Sequence, residues 1–264
     1  MFSVKQSNLS LININNFSPL WSYCTPIALH RADVTYDGGL YICSAPGVPS
    51  TSILHSWLSE FEIGYFDHLL FDRRRQSYFL GRYAAKRALN FLTDEDPAEL
   101  TIYHGVFDNP VVESNKTPFR FDVSITHSSD VAAAIAFPTA HPMGIDIEQV
   151  DQAKAQVVEK ELTPYECALF SHTDFGLSHP SMLSMAWTIK ESISKVLKTG
   201  LMTPFSMYEI LSISCNNYVY TSYFKNLSQY KSLSFLINNH VCSITLPKNT
   251  NLDISNILTH SSND

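Results

Sequence analysis

The chain has none of the short signatures that mark a nucleotide triphosphatase, a dinucleotide enzyme or an α/β-hydrolase. There is no Gly-x-x-x-x-Gly-Lys-Ser/Thr, no Gly-x-Gly-x-x-Gly and no Gly-x-Ser-x-Gly. His-Glu-x-x-His and Cys/His clusters are missing too, which removes the usual zinc frameworks. Cysteine is sparse and scattered. Cys24, Cys43, Cys167, Cys215 and Cys242 are odd in number and without Cys-x-x-Cys spacing, so they read as reduced thiols in a cytoplasmic protein. The longest apolar run, Val131 to Phe137, is far shorter than the roughly 20 residues a bilayer requires, so no membrane partner is expected. Met1-Phe-Ser-Val-Lys-Gln-Ser-Asn lacks a basic segment followed by an apolar stretch, and no signal peptide is expected. Positive charge is also in short supply: 18 Lys and Arg face 25 Asp and Glu, a formal charge of −7, which argues against a nucleic-acid partner.

What is present is a 264-residue chain with 45% hydrophobic residues, enough for one large or two modest domains with a core. Its most informative stretch is Gly144-Ile-Asp146-Ile-Glu148. Apolar and acidic residues alternate there, so in a strand Asp146 and Glu148 share one face while Ile145 and Ile147 pack behind them. Two carboxylates held that close repel unless a cation or a basic group sits between them. Oxygen ligands in small number suit Mg²⁺, which takes its remaining ligands from water and substrate phosphates. Taken in isolation, an Asp-x-Glu reads as the solvated face of an edge strand.

The spacing of Met182, Met185, Ala186, Ile189, Ile193, Val196 and Leu197 predicts a helix from about Ser181 to Thr199. Ser181 is the expected cap, and Gly200 the expected left-handed residue beyond its end. Trp187, Glu191, Lys195 and Lys198 form a stripe apart from the apolar one. Taken alone, Glu191 and Lys195 are an ordinary i,i+4 surface pair. Upstream, Phe121-Asp-Val-Ser-Ile-Thr-His127-Ser-Ser129 and Val131 to Phe137 predict two strands with His127 in the polar turn between them. From Arg73 to Arg87 a basic run with no acid follows a helical pattern, with Phe79, Tyr83 and Leu89 inward. Arg82 and Lys86 stand one turn apart, a local positive patch for a polyanionic ligand. Past the long helix, Tyr218 to Phe224, Leu233 to Ile237 and Val241 to Leu246 read as strands, the last two joined by Asn238-Asn239, and Lys248 to Asp264 reads as frayed. The segment Leu9 to Asn16 has no clear pattern.

These segments, in this order, resemble the 4′-phosphopantetheinyl transferases of the surfactin-synthetase and enterobactin type. The matching motifs are Gly81-Arg82-x-Ala-Ala-Lys86-x-Ala-Leu89, Ser124-Ile-Thr-His127-Ser128, Gly144-Ile-Asp146-Ile-Glu148 and Trp187-x-x-Lys190-Glu191-Ser192-x-x-Lys195, over roughly residues 70 to 205. The resemblance implies an α/β (α+β) fold of two similar halves with pseudo-twofold symmetry and a ligand site between them. The halves are expected at residues 1–139, with the basic helix and His127, and 140–264, with the acidic strand and the motif helix. No sequence repeat marks them.

The implied activity is transfer of the 4′-phosphopantetheine group of coenzyme A to a serine of an apo acyl or peptidyl carrier protein, with Mg²⁺, releasing 3′,5′-ADP. The implied molecule is a cytoplasmic monomer. By matching position, Asp146, Glu148 and Glu191 are the implied Mg²⁺ ligands, and Glu191 is also the implied base. Lys195 neutralises the pyrophosphate, His127 contacts phosphate, and Arg82 and Lys86 take the 3′-phosphate. The role of Lys190 is open. Thr126 departs from the usual serine but keeps a hydroxyl. Asp108-Asn109-Pro110 departs more seriously from the relatives' Gly-Lys-Pro and lacks its lysine, for which Lys116 and Arg120 are the candidate substitutes. A non-catalytic module that binds coenzyme A or a carrier protein is the rival reading, as is a Mg²⁺-dependent phosphodiesterase. The presence of all the acids and of Lys195 favours the transferase.

Overall fold

The computed structural model describes residues 17–114, 120–172 and 176–254. Leu9 to Asn16, Lys116 and residues 255–264 lie outside the described residues. The elements in chain order are β1 (Trp21–Arg31), β2 (Val34–Ser44), α1 (Thr51–Trp57), α2 (Glu60–Asp67), α3 (Asp72–Leu89), β3 (Thr101–His104), β4 (Pro110–Glu113), β5 (Phe121–Ser128), β6 (Val131–Pro138) and β7 (Gly144–Gln149). They continue with α4 (Gln152–Glu161), α5 (Pro164–His172), α6 (His179–Leu197), β8 (Ile210–Asn216), β9 (Val219–Phe224), β10 (Tyr230–Ile237), β11 (His240–Pro247) and β12 (Asn251–Leu252).

The fold is mixed α/β with two similar halves. One sheet runs β12-β1-β2-β6-β5, the other β7-β11-β10-β9-β8, and β3-β4 form a separate pair. The correspondence follows the pairing. β2 pairs antiparallel with β6 and β6 with β5, as β7 pairs antiparallel with β11 and β11 with β10. In each half one long helix covers the outer face of the sheet. Strand alternation then gives each sheet two apolar faces. Tyr41, Cys43, Ala132, Ala134 and Ala136 face α3. Leu40, Ile42, Ala133 and Ile135 face the other way and meet Ile145, Ile147, Phe235 and Ile244 of the second sheet. Ile189 and Ile193 of α6 pack with Val241 and Tyr220 on the far side. The order of layers is helix, sheet, sheet, helix, with the core between the sheets joining the halves.

Two close approaches set the helices on their sheets. A Cβ on Gly39 of β2 would lie 2.1 Å from the Ala88 carbonyl oxygen of α3, and one on Gly144 of β7 2.2 Å from that of Ser192 on α6. Only glycine permits such contact.

Several local expectations change. Helix α6 begins earlier than its apolar spacing predicts, because Pro180 suits the first turn and Ser178, not Ser181, is the cap, its Oγ accepting from the Ser181 N–H. Its end is Lys198 itself in the left-handed conformation. His127 lies in β5, opposite Ala132, and the turn falls two residues later at Ser129, whose φ is 57°. Beyond Lys248 the chain is not frayed where it is described: Leu252 and Asn251 pair with Leu29 and His30 of β1, so the C-terminal stretch completes the N-terminal sheet. No helix among the described residues is long and apolar enough to cross a membrane.

Candidate active site at the junction of the halves

The edge strands β5 and β7 meet where the halves join, and hydroxyl groups stitch them together. Ser124 Oγ accepts from the Ile145 N–H at 3.1 Å, Thr126 Oγ1 from Ile147 at 3.3 Å and Ser128 Oγ from Gln149 at 3.1 Å. Two of these hydroxyls donate onward, Thr126 to Asp146 Oδ1 at 2.8 Å and Ser128 to Glu148 Oε2 at 2.9 Å. Thr126 and Ser128 therefore aim the acid pair, a role that reading β5 as a carrier of His127 overlooks. The signal was present in the sequence as hydroxyls at every second residue, Ser124, Thr126 and Ser128.

Asp146 and Glu148 share a face as the alternation predicts, with Ile145 and Ile147 fully buried behind them. Lys195 crosses from α6 to β7 and donates to Asp146 Oδ1 at 2.7 Å and to the Ile145 carbonyl at 3.0 Å. Burial raises the Asp146 carboxyl above the usual range, with Lys195 opposing it. Glu148 accepts from Lys154 at 2.8 Å, a partner the sequence did not point to. Glu191 feels the same crowding. Burial, then the negative charges of Asp146 and Glu148, push its carboxyl up to about 7 against the pull of Lys195. Enclosure of the His127 ring, with the charge of Lys195, holds the imidazole below its ordinary value.

Among the described residues no three His, Cys, Asp or Glu side chains stand close enough to hold a metal ion. The chemistry of the donor set nevertheless fits a hard cation. Asp146 Oδ2 is buried without any hydrogen-bond partner, and an unpaired buried carboxylate oxygen is costly. Glu191 and Glu148 lie near enough to Asp146 to raise the proton affinity of Glu191, the response expected of acids that a cation would relieve.

Two openings adjoin the site. A cavity of about 220 Å³ is lined by Val123 and Ile125 of β5, by Glu191, Lys195 and Lys198 of the α6 side, and by the loop from Phe107 to Pro110. A cleft of about 440 Å³ brings His127 and Ser129 together with Arg73, Arg74 and Ser77 from the start of α3.

The structure corrects the expectation for Lys86, near the C-terminal end of the basic helix. Lys86 is fully buried and donates to Glu62 Oε2 at 2.5 Å and to the Trp57 and Leu100 carbonyls, each at 2.8 Å. All its donors are used inside the core, so it cannot meet a coenzyme phosphate. Arg82 is 8% exposed, lies over the Tyr78 ring at 3.9 Å and approaches His104 Nε2 at 3.0 Å, lining neither opening. The helical period puts both side chains toward the body of the first half, while Arg73 and Arg74, two to four turns earlier, stay at the surface. Lys190 receives the role the motif left open: it is buried and donates to Glu166 Oε2 at 2.8 Å and to the Phe205 carbonyl at 3.1 Å.

Residues 142–255 match the family model described as ACPS, the 4′-phosphopantetheinyl transferase superfamily. The match spans β7, α6 and the rest of the second sheet, and so includes the whole acid set. It supports phosphopantetheine transfer in general. No curated protein matches the chain.

Proposed function

We propose that this protein is a surfactin-synthetase-type 4′-phosphopantetheinyl transferase, which moves the phosphopantetheine group of coenzyme A onto a serine of an apo acyl or peptidyl carrier protein and releases 3′,5′-ADP. The observation that carries the reading is the convergence of Asp146, Glu148, Glu191 and Lys195 at the junction of the halves, with one buried Asp146 oxygen unpartnered. In the reaction the serine oxygen forms a bond to the phosphorus that bears the pantetheine. The bond from that phosphorus to the bridging oxygen of the pyrophosphate breaks, and the electron pair leaves with 3′,5′-ADP.

A serine hydroxyl is a poor nucleophile until its proton is taken. Glu191, which lines the cavity beside Lys195, is the carboxylate placed to take it. Lys195 places a positive charge beside the reacting phosphate while holding Asp146 in place. His127, with Arg73 and Arg74 across the larger cleft, supplies donors for the coenzyme's phosphates in place of Arg82 and Lys86. Asp146, Glu148 and Glu191 would hold Mg²⁺, which when bound neutralises charge on the pyrophosphate.

The test is intact-mass spectrometry of an apo carrier protein incubated with coenzyme A, Mg²⁺ and the protein, beside Glu191→Ala and metal-free controls. A gain of one phosphopantetheine group with the wild type and Mg²⁺ alone supports the reading. Hydrolysis of coenzyme A without modification of any of several carriers would replace it with the phosphodiesterase.

A further inference from the structure

Lys198 lines the smaller cavity, yet neither the acid set nor the larger cleft uses it. It ends α6 with φ 54° and ψ 34°, the left-handed conformation in which a Cβ is crowded and glycine is the usual residue. A long cationic side chain is kept at a position where it strains the backbone. The wall opposite shows the same trait: Phe107 and Asp108 both have left-handed backbones, with φ of 58° and 60°. Non-glycine residues held this way cluster at ligand sites, where surroundings and ligand dictate the conformation.

The two lysines of the cavity differ in their freedom. Lys195 is 26% exposed in its side chain and held by two acceptors within 3.0 Å. Lys198 is 51% exposed and, among the described residues, meets only Asp122 Oδ2, at 3.4 Å, a contact a stronger anion would displace. Across from it stands Asn109, where the resemblance has a lysine.

We infer that Lys198 is a coenzyme-binding residue, whose ammonium leaves Asp122 to hold a phosphate of coenzyme A from the α6 side of the cavity. The inference rests on the transferase reading. It assigns to the end of α6 the positive charge that the Asn109 loop lacks, and it explains why glycine does not occupy a position whose backbone calls for one.

Calorimetric titration of coenzyme A and dephospho-coenzyme A into the wild type, Lys198→Gly, Lys198→Met and Lys198→Arg tests it. Lys198→Gly relieves the backbone, so its melting temperature should not fall, while its affinity for coenzyme A drops about tenfold, the effect of losing one charge-assisted contact. Lys198→Met, which keeps the stem without the charge, should show the same drop, and Lys198→Arg should restore most of the affinity. Loss with both ligands places the contact on the pyrophosphate, and loss with coenzyme A alone places it on the 3′-phosphate. Undiminished affinity in the Gly and Met variants overturns the inference while leaving the transferase reading in place. A wild type that binds neither ligand removes both.

Discussion

The two halves of this molecule solve the same packing problem and differ in what they do with the solution. Each starts its second helix, α2 or α5, with a hydroxyl residue and a glutamate three residues on. In the first half Ser59 Oγ accepts from the Glu62 N–H, and Glu62 Oε2 accepts from the Ser59 N–H. Thr163 and Glu166 repeat this. In each half the glutamate then binds a buried lysine 24 residues later, Lys86 or Lys190. Its other oxygen accepts a strand N–H, Ile102 or Ile210. Two residues past the lysine, the helix backbone rests on a glycine of the strand beneath, Gly39 or Gly144.

With that register fixed, Tyr41, Cys43 and Arg87 of the first half stand where the second has Asp146, Glu148 and Glu191. The first-half set is closed. Arg87 lies over the rings of Tyr41 and Trp57 at 5.2 and 5.8 Å, and burial pushes the Cys43 thiol up to about 12. In the second-half set Glu191 lines the cavity, and the three acids crowd negative charge together. A shared scaffold therefore holds the candidate acid set in one half and packing residues in the other. The difference lies in three side chains rather than in the backbone.

The comparison can be broken at several points. The largest effect should come from Glu191→Gln, which is expected to lower kcat for transfer to an apo carrier about 10³-fold, whereas Arg87→Gln at the matching place should leave kcat of the folded enzyme unchanged. Equal losses would mean that the first half carries chemistry too. Next in size are the buried pairs. Glu62→Ala and Glu166→Ala each leave a lysine charge uncompensated in the core, and each should cost about 3–5 kcal/mol in chemical denaturation. A near-neutral result for either would end the claim that they are structural twins.

Smaller losses, about 1–3 kcal/mol, are expected from Gly39→Ala and Gly144→Ala, since a methyl would push helix from sheet. Only Gly144→Ala should also depress transfer, because it shifts the strand that carries Asp146. The smallest effect is a pH slope. Folding raises the Glu191 carboxyl from 4.5 to about 7, so the folded state binds the proton more tightly than the unfolded state. In metal-free buffer, stability from this group is full below about 4.5 and declines as pH rises through about 7. Thermal melts of Glu191→Gln should lack that decline, and those of Arg87→Gln should retain it.

Much of the second half was legible in the sequence because its signals are local. Period-two alternation in Gly144 to Glu148 separates acid from apolar within one strand. The three- and four-residue spacing from Met182 to Leu197 does the same within one helix. The hairpin at Asn238 follows from a residue that tolerates positive φ, here 50°. Even the duplication left a trace, a hydroxyl residue three before a glutamate and a lysine 24 beyond, but such a pattern is too thin to recognise without the contacts that give it meaning.

The sequence by itself determined which residues could carry charge chemistry and which strand and helix would present them, since those depend on backbone periodicity alone. Only the tertiary structure decided which of the charges are available. Lys86 reads as part of a positive patch and Lys190 has no assigned role until a glutamate from a preceding segment closes over each. Lys195 reads as the partner of Glu191 until β7 places Asp146 nearer. A buried ion pair depends on a neighbour brought from far along the chain, and on the water that packing removes, and neither is encoded within a few residues of the charge itself.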